Sequence, residues 1–289
     1  MLKKSKRFAV IVVAVFFVFI TLVWAVGAVL SHHARQDIGV MPADLPFEAV
    51  SISVCEKQTV SGWKLLGRAN VGVVLLLHGV RADRRQMLER AKFLNRLGYG
   101  ALLIDLPAHG QSTGDQITYG FREAEGVKYA LNYIKNEFPN EKIAVIGVSL
   151  GAASFVLSQQ GAMVQAVILE SMFPSIEYAV KDRLNLYLGP IGEYFAPLLL
   201  WQFPLRINIS LEQLRPIAAM PSLHVPVLIM AGDLDKHTTL VETKSIFAAA
   251  KNPKELLIIE GAAHVDLHHF APAVYQASVS NFLFKHMHK

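Results

Sequence analysis

The stretch Gly147-Val148-Ser149-Leu150-Gly151 decides the fold. It follows the apolar run Ile143 to Ile146 and leads into three small residues that favour the start of a closely packed helix, Ala152-Ala153-Ser154. A serine between two glycines at a strand-to-helix turn is typical of a nucleophile elbow, whose sharp bend leaves no room for side chains two residues before and after the serine. We therefore predict that Ser149 is a nucleophile presented at the end of a strand.

Strand and helix patterns alternate on both sides of this turn. Two β-rich stretches, 49–54 and 59–66, come first, and apolar runs of the kind that a strand buried on both faces requires follow at 71–77, 101–104, 142–146, 164–169, 225–231 and 255–260. Helical patterns lie between and after them, at about 86–97, 121–136, 240–249 and 272–286. The alternation predicts an α/β domain over 49–289, built on a doubly wound, mainly parallel sheet.

The alternation breaks between about 171 and 224. This stretch contains six prolines and is rich in leucine and aromatic residues. Its place, after the strand that follows the elbow helix, predicts a helical cap inserted over the active site. Five aromatic side chains in it either line an apolar pocket for an acyl chain or bury the cap against the core, and both interpretations stay open: Tyr187, Tyr194, Phe195, Trp201 and Phe203.

The N-terminus carries a candidate membrane anchor over residues 1–30. The 23 residues 8–30 contain no charge and would form a helix of about 34 Å, enough to cross the hydrocarbon core of a bilayer. This length favours an uncleaved anchor over a cleaved signal peptide or a buried helix. The basic residues before it, Lys3, Lys4, Lys6 and Arg7, predict a cytoplasmic N-terminus and a periplasmic or extracellular catalytic domain. Residues 31–48, with Pro42 and Pro46, are interpreted as a linker.

Charge and cysteine content exclude some classes of function. The net charge is +5, but without the four basic residues before the anchor the chain has 24 basic against 23 acidic residues. A nearly neutral body argues against nucleic-acid binding, which needs a basic face. Cys55 is the only cysteine, so the chain cannot form an intramolecular disulfide.

An acid and a histidine follow the elbow at the ends of later strands. The run 227–231 ends in Gly232-Asp233-Leu234-Asp235, and the run 256–260 ends in Gly261-Ala262-Ala263-His264. A serine hydroxyl needs a base to take its proton, and the base needs an acid to fix its tautomer. The order serine, aspartate, histidine is the one associated with this sheet topology. The residues alone leave Asp233 and Asp235 as competing acids.

With these motifs in place, the chain from about Val50 to Lys289 resembles the α/β-hydrolase superfamily, and within it the single-domain serine hydrolases with an N-terminal membrane anchor. The motifs that carry the resemblance are Leu77-His78-Gly79, 105–112, the elbow, 232–235 and His264. The resemblance implies Ser149 as nucleophile, Asp235 as acid and His264 as base, with Asp233 as a turn former. It also implies an oxyanion hole made by the backbone N–H groups of Leu150 and Val80.

Further polar residues near these motifs receive structural interpretations. His78, Asp105 and His109 are expected to shape loops, and the charged cluster 81–85 is expected to be mainly solvated surface, with anion binding as the less favoured alternative. No cofactor is expected. No metal is expected either, because His264, His268 and His269 lack a further ligand at recognisable spacing.

The leading hypothesis is a serine hydrolase that cleaves a carboxylic ester, of a lipid or another hydrophobic acyl compound, through an acyl-enzyme. A serine peptidase or amidase and a thioesterase remain alternatives on the same triad. A non-catalytic binding protein that keeps the fold is the alternative from another class. The expected partners are a small-molecule or lipid ester and, through the N-terminal helix, a membrane, and the oligomeric state is left open.

Overall fold

An eight-stranded sheet forms the centre of the protein in the computed structural model, which describes residues 2–55 and 58–287. Its strands are β2 (Phe47–Cys55), β3 (Gln58–Leu65), β4 (Val73–Leu77), β5 (Gly100–Ile104), β7 (Ile143–Val148), β8 (Ala166–Glu170), β9 (Val227–Gly232) and β10 (Lys254–Ile259), in the spatial order β10-β9-β8-β7-β4-β5-β3-β2. Strand β3 pairs antiparallel with β2 and β5, and the other pairs are parallel. Two-residue strands β1 (Ala34–Arg35) and β6 (His109–Gly110) pair separately.

Helices cover both faces of this sheet. The helices of the described residues are α1 (Leu2–Ser31), α2 (Leu88–Arg96), α3 (Phe121–Glu137), α4 (Leu150–Ser158), α5 (Ile176–Leu188), α6 (Ala196–Leu200), α7 (Gln202–Ile207), α8 (Pro216–Ala219), α9 (Leu240–Ala249), α10 (Leu267–Phe270) and α11 (Pro272–Met287). Buried side chains of α3, α4 and α9 belong to one apolar core and those of α2 and α11 to another. The predicted doubly wound, mainly parallel α/β architecture is confirmed.

Strand β4 illustrates why the sequence folds this way. Successive side chains of a strand point to opposite faces, so Val73, Leu75 and Leu77 lie in the core beneath α3 and α4, while Val74 and Leu76 lie in the core beneath α2 and α11. All five are buried, and each contributes about 1.5–3 kcal/mol by leaving water. An unbroken apolar run is therefore what a strand between two helical layers requires.

The order of the strands creates the place for a site. Strand β4 lies between β5 and β7, so the chain winds one way from β4 to β5 and the other way from β7 to β10. Ligands of open α/β sheets bind at the carboxyl ends of the strands beside such a reversal. Strand β7 ends at Val148, immediately before Ser149.

Helices α5 to α8 lie between β8 and β9, within the stretch 171–224 that we interpreted as a helical cap. We use the name cap for residues 171–224 below. Short 3-10 segments, among them Gly189–Phe195 and Leu211–Leu214, connect these helices. The frequent prolines fit short helices, because Pro216 and Pro197 stand at the first and second positions of their helices, where a missing N–H is not needed.

The segment 31–48 contacts the domain along much of its length. Ala34 and Arg35 pair with His109 and Gly110, and Ile38 is buried in the core. Strand β2 already begins at Phe47, inside the stretch that we interpreted as a linker. These contacts join residues more than 70 positions apart, so no local sequence pattern indicates them.

Helix α1 contains a candidate membrane span at Lys6–Ser31. The most apolar window of this span, 18 residues long, has a mean hydropathy of 3.0, and none of its residues is buried within the protein. A helix of this length and composition is long and apolar enough to cross a bilayer, as predicted. Val23 and Trp24, near its C-terminal end, contact the cap.

Candidate active site

Ser149 occupies a strained turn between β7 and α4. Its φ of 48° and ψ of −104° lie in a region that residues other than glycine rarely adopt. A Cβ on Gly147 would lie 2.6 Å from the Ala152 nitrogen, and one on Gly151 would lie 2.5 Å from the Leu77 carbonyl oxygen. Only glycine fits at either position, so the packing around the bend explains the glycine spacing of the elbow.

Asp235 and His264 are in direct contact. His264 Nδ1 lies 2.8 Å from Asp235 Oδ2, and the Asp235 side chain is fully buried. The competing acid, Asp233, instead accepts a hydrogen bond from the Gly261 N–H at 2.7 Å. Asp233 thereby ties the loop after β9 to the loop after β10, which is a long-range contact and not the local Asx-type turn expected of it.

Hydrogen bonds keep the Asp235 carboxylate ionised. Its Oδ1 accepts from the N–H groups of His237 and Thr238 at 2.8 and 2.9 Å. Burial by itself would raise the pKa of Asp235, but the contact with His264 and these two N–H groups outweigh it and hold the pKa below its ordinary value. An ionised Asp235 holds the proton of His264 on Nδ1 and leaves Nε2 free to accept another.

His237, which the sequence analysis did not single out, packs on the candidate base. Its ring lies parallel to that of His264, with centroids 4.9 Å apart. Burial, the charge of Arg183 and the neighbouring His264 lower the pKa of His237, so the stacked ring is neutral near pH 7. No motif indicates this residue, because its role depends on the fold of the loop after β9.

The loops that carry Ser149 and Asp235 meet at the end of β8. The Ser149 N–H donates to the Glu170 carbonyl at 2.8 Å, and the Thr238 hydroxyl lies 3.4 Å from the next carbonyl, that of Ser171. Among the hydrogen bonds of residues 2–55 and 58–287, none joins Ser149 Oγ to His264. The bond between nucleophile and base is often long in hydrolases without substrate and shortens when substrate binds.

Two backbone N–H groups next to Ser149 are free to bind an oxyanion. Val80 and Leu150 line the same cavity as Ser149, and neither N–H donates to an acceptor in the part of the chain that the structure describes. The ideal Cβ of Gly79, the residue before Val80, lies 3.9 Å from Ser149 Cβ, so the two loops are in contact. Preorganised N–H groups of this kind stabilise the negative charge of a tetrahedral intermediate.

Buried side chains fix the loop that contains Val80. The Gly79 N–H donates to Gln86 Oε1 at 2.7 Å. His78 Nδ1 donates to the Gly79 carbonyl at 2.7 Å, while its Nε2 accepts from the Leu106 N–H at 3.0 Å. Burial and the neighbouring His109 lower the pKa of His78 to about 4, so the ring stays neutral and keeps this tautomer. His78 therefore shapes the loop, as expected.

The charged cluster 81–85 differs from the sequence-based expectation. Arg84 is 1% exposed, and its guanidinium lies 2.6 Å from the buried carboxylate of Asp105. Asp105 also accepts from the N–H groups of Arg84 and Gln111, so it ties three segments together. The expectation of a mainly solvated cluster is wrong for Arg84, because its partner lies 21 residues further along the chain.

A cavity of about 390 Å³ lies beside Ser149. This volume falls in the usual range for small-molecule sites. Its wall is mainly apolar and comes from three parts of the chain: the loops of Val80 and Leu150, the cap helix α5 with Arg183 and Tyr187, and the end of α1 with Val26 and Leu30. Burial lowers the pKa of Arg183, the one charged cap residue among those lining the cavity in the described ranges.

The five cap aromatics do not all line the pocket, and they do not all bury the cap against the core. Tyr187 lines the cavity and Phe203 packs on Tyr119, with ring centroids 5.5 Å apart. Tyr187 is also exposed, as are the other three, Tyr194, Phe195 and Trp201. The pocket-lining interpretation thus fits Tyr187, and the packing interpretation fits Phe203. Neither interpretation explains the exposed rings of Tyr194, Phe195 and Trp201.

Within residues 2–55 and 58–287, no group of three or more His, Cys, Asp or Glu side chains could hold a metal ion. His268 lies between aromatic rings, 5.9 Å from Phe93 and 5.0 Å from Tyr275, and contacts Gln276. It is a packing residue rather than a companion of His264.

Comparison with known proteins identifies the family. Residues 74–277 match the model of the alpha/beta hydrolase family. Protein YqkD of Bacillus subtilis is 23% identical over 237 residues (78% of this chain, 75% of that protein), and the human monoglyceride lipase is 24% identical over 249 residues (73% and 80%). An esterase from Pyrococcus furiosus superposes with a TM-score of 0.72 at 21% identity (89% and 98%). A sheet of this order, an elbow serine and a family match over most of the domain lead to one conclusion: the chain belongs to the alpha/beta hydrolase family.

Proposed function

We propose that the protein is a serine hydrolase that cleaves carboxylic esters of hydrophobic acyl groups, with Ser149 as nucleophile, His264 as base and Asp235 as the acid that orients it. The observation that carries the proposal is the 2.8 Å contact between His264 and Asp235 at the same sheet edge as the strained Ser149. The family supports hydrolysis in general. The similarity to a monoglyceride lipase and to an esterase favours esters.

Acylation begins with proton transfer to His264. As Ser149 Oγ attacks the ester carbonyl carbon, Nε2 of His264 takes the hydroxyl proton, and Asp235 stabilises the resulting imidazolium. The carbonyl π electrons move onto oxygen, and the N–H groups of Val80 and Leu150 bind that oxyanion. When the carbonyl reforms, the bond to the alcohol breaks, and the alcohol leaves with the proton from His264.

Deacylation repeats these steps with water. His264 takes a proton from a water molecule as its oxygen attacks the acyl-serine, and the same two N–H groups bind the second oxyanion. Collapse releases the carboxylic acid and returns the proton to Ser149 Oγ. Because no step moves electrons to or from an external acceptor, the reaction needs no cofactor.

We also propose that α1 anchors the protein in a membrane. Helix α1 is long and apolar enough to span a bilayer, and its basic residues all lie before its uncharged stretch 8–30. By the positive-inside rule its N-terminus is cytoplasmic and the catalytic domain is periplasmic or extracellular. An apolar cavity next to such a helix favours an ester with a hydrophobic acyl chain over a peptide bond.

A fluorophosphonate probe tests the catalytic assignment. The full chain in detergent should be labelled at Ser149, and Ser149→Ala should abolish both labelling and ester hydrolysis. Ser154→Ala is the matched control, because this hydroxyl is also buried on α4 but donates to the Leu150 carbonyl instead of facing the cavity. Labelling of folded Ser149→Ala equal to the wild type would refute the role of Ser149.

The alternative reactions give different outcomes. Esters, thioesters and amides with one common acyl group compare the three chemistries directly, and an amide or thioester hydrolysed faster than the ester would replace the ester assignment. Folded wild-type protein that neither reacts with the probe nor hydrolyses any of the three would indicate a non-catalytic binding protein.

A further inference from the structure

Polar side chains of the domain donate hydrogen bonds to backbone carbonyls in the last turn of α1. The Arg81 guanidinium donates to the carbonyls of Val29 and Leu30, and the Tyr119 hydroxyl donates to the Leu30 carbonyl at 2.9 Å. The final carbonyls of a helix have no partner within it, so these side chains satisfy groups that would otherwise need water. Arg81 directly follows Val80, so α1 is tied to the candidate oxyanion loop.

Cap helix α7 contacts α1 about two turns closer to the N-terminus of α1. Gln202 Nε2 donates to the Val23 carbonyl at 3.0 Å. The Arg206 guanidinium lies 4.2 Å from the centre of the Trp24 ring and donates to the Trp24 carbonyl. The Trp24 ring also contacts Trp201, with centroids 6.0 Å apart. Residues 23–31 of α1 are therefore a fixed part of the folded domain.

This docked end of α1 forms a wall of the cavity beside Ser149. Val26 and Leu30 line the cavity together with Val180 and Leu184 of the cap helix α5. The cavity that would receive the acyl chain of an ester bound at Ser149 is therefore lined by both α1 and α5.

The bilayer reaches the level of this wall. At about 1.5 Å per residue, a hydrocarbon core of about 30 Å takes about 20 residues of helix. Counted from Phe8, the first residue after the basic segment, that core ends near Gly27, whereas the cap contacts begin at Val23. The cavity wall at Val26 and Leu30 therefore lies at the boundary between acyl chains and headgroups.

Exposed side chains of the cap have the composition that is favoured at the boundary between acyl chains and headgroups. Large side chains of the cap are solvent-exposed in the folded chain, and one of them, Trp201, contacts Trp24 of α1: Tyr187, Tyr194, Phe195, Trp201 and Leu205. Tryptophan and tyrosine concentrate at membrane interfaces, where an apolar ring with a polar edge is favoured. A bilayer around α1 would cover exposed side chains of the cap that lie beside the helix.

We infer that α1 is part of the acyl-binding site: membrane-resident esters enter laterally from the bilayer between α1 and α5, and Val26 and Leu30 set the acyl chain length that is accepted. The inference rests on the proposed esterase function. It assigns to the anchor a specificity role in addition to attachment, and it identifies the substrate class as a lipid ester with a long acyl chain.

The test compares variants of the full chain in lipid nanodiscs. The readout is the ratio of kcat/KM for the dodecanoyl ester to that for the butyryl ester of one alcohol. Leu30→Trp fills the cavity and should lower this ratio at least about tenfold, the effect expected of even one misfitted methylene group. Val29→Trp is the matched control: this neighbouring side chain is 67% exposed and does not line the cavity, so the ratio should stay within about twofold.

A second variant distinguishes a change in chain-length preference from a loss of activity through misfolding. Leu30→Ala enlarges the cavity and should raise the ratio for the hexadecanoyl over the dodecanoyl ester several-fold. Unchanged ratios in both Leu30 variants, with wild-type labelling by the fluorophosphonate probe, would overturn the role of α1 and leave the esterase proposal standing. A wild type that is neither labelled nor active on any ester would instead refute the proposed function itself.

Discussion

Replacement of Asp235 by asparagine should abolish most of the activity without unfolding the protein. In the native site Oδ1 accepts two backbone N–H groups, those of His237 and Thr238, and Oδ2 accepts the proton of His264 Nδ1. An asparagine must keep its oxygen at the Oδ1 position, because an amino group there would face two N–H donors. Its NH₂ group would then point at His264 Nδ1.

This arrangement forces His264 into the unproductive tautomer. Nδ1 becomes an acceptor for the asparagine amide, so the ring proton moves to Nε2, which can no longer take the proton of Ser149. The expected loss is about 10⁴-fold in kcat, equivalent to about 5 kcal/mol of barrier. Because the asparagine keeps three hydrogen bonds at the same positions, the stability should change little.

The assay is steady-state hydrolysis of a butyryl ester together with the rate of fluorophosphonate labelling, each measured at several pH values. Asp233→Asn is the matched control in the same loop, since the Asp233 carboxylate accepts the Gly261 N–H and an asparagine should keep its oxygen there. A variant Asp235→Asn within tenfold of the wild type, or an equal loss in Asp233→Asn, would refute the assignment of Asp235 as the orienting acid.

Three further predictions concern the surroundings of the site. Arg90 and Glu170 form a buried ion pair at 2.6 Å, so Arg90→Met should lower the free energy of unfolding by about 3–5 kcal/mol in chemical denaturation, and a loss below about 1 kcal/mol would contradict it. Burial and the charge of Glu242 raise the pKa of Asp182 to about 7, which is above its value in the unfolded chain. The free energy of unfolding should therefore fall as the pH rises from about 4 to about 7, and thermal unfolding of Asp182→Asn should lack this decline. Gly151→Ala, whose Cβ would lie 2.5 Å from a carbonyl oxygen, should destabilise the elbow by about 1–3 kcal/mol and slow probe labelling, whereas native labelling would show that the turn adapts.

The sheet could be predicted from the sequence because its signals are local. Each strand buried on both faces, such as β4, must be apolar throughout, and each turn after it must hold residues that tolerate tight backbone. The elbow is the extreme case, since Gly147 and Gly151 are required by contacts within a few ångströms of Ser149. An acid after β9 and a histidine after β10 follow from the same logic, whereas the choice of Asp235 over Asp233 came from the resemblance to a known family.

Buried charges were predicted less well because their partners are distant in sequence. Arg84 in a run of charged residues has the composition of a solvated surface, yet Asp105 makes it a buried structural residue. His237 and Arg183 likewise acquire their places beside His264 and Ser149 only when the loop after β9 and the cap have folded. A pattern of residue types does not contain that information.

The docking of α1 lies beyond sequence reasoning for a thermodynamic reason. An apolar helix that leaves lipid for an apolar protein surface gains little from the hydrophobic effect, so the composition of α1 cannot indicate which turns are docked. The contacts that fix it are donated by Arg81, Gln202 and Arg206, and all three reach backbone carbonyls of α1. Every residue has such a carbonyl, so the recognised positions carry no signature of their own. Val26 and Leu30 therefore look like any other residue of the span, although the fold places them in the wall of the cavity beside Ser149.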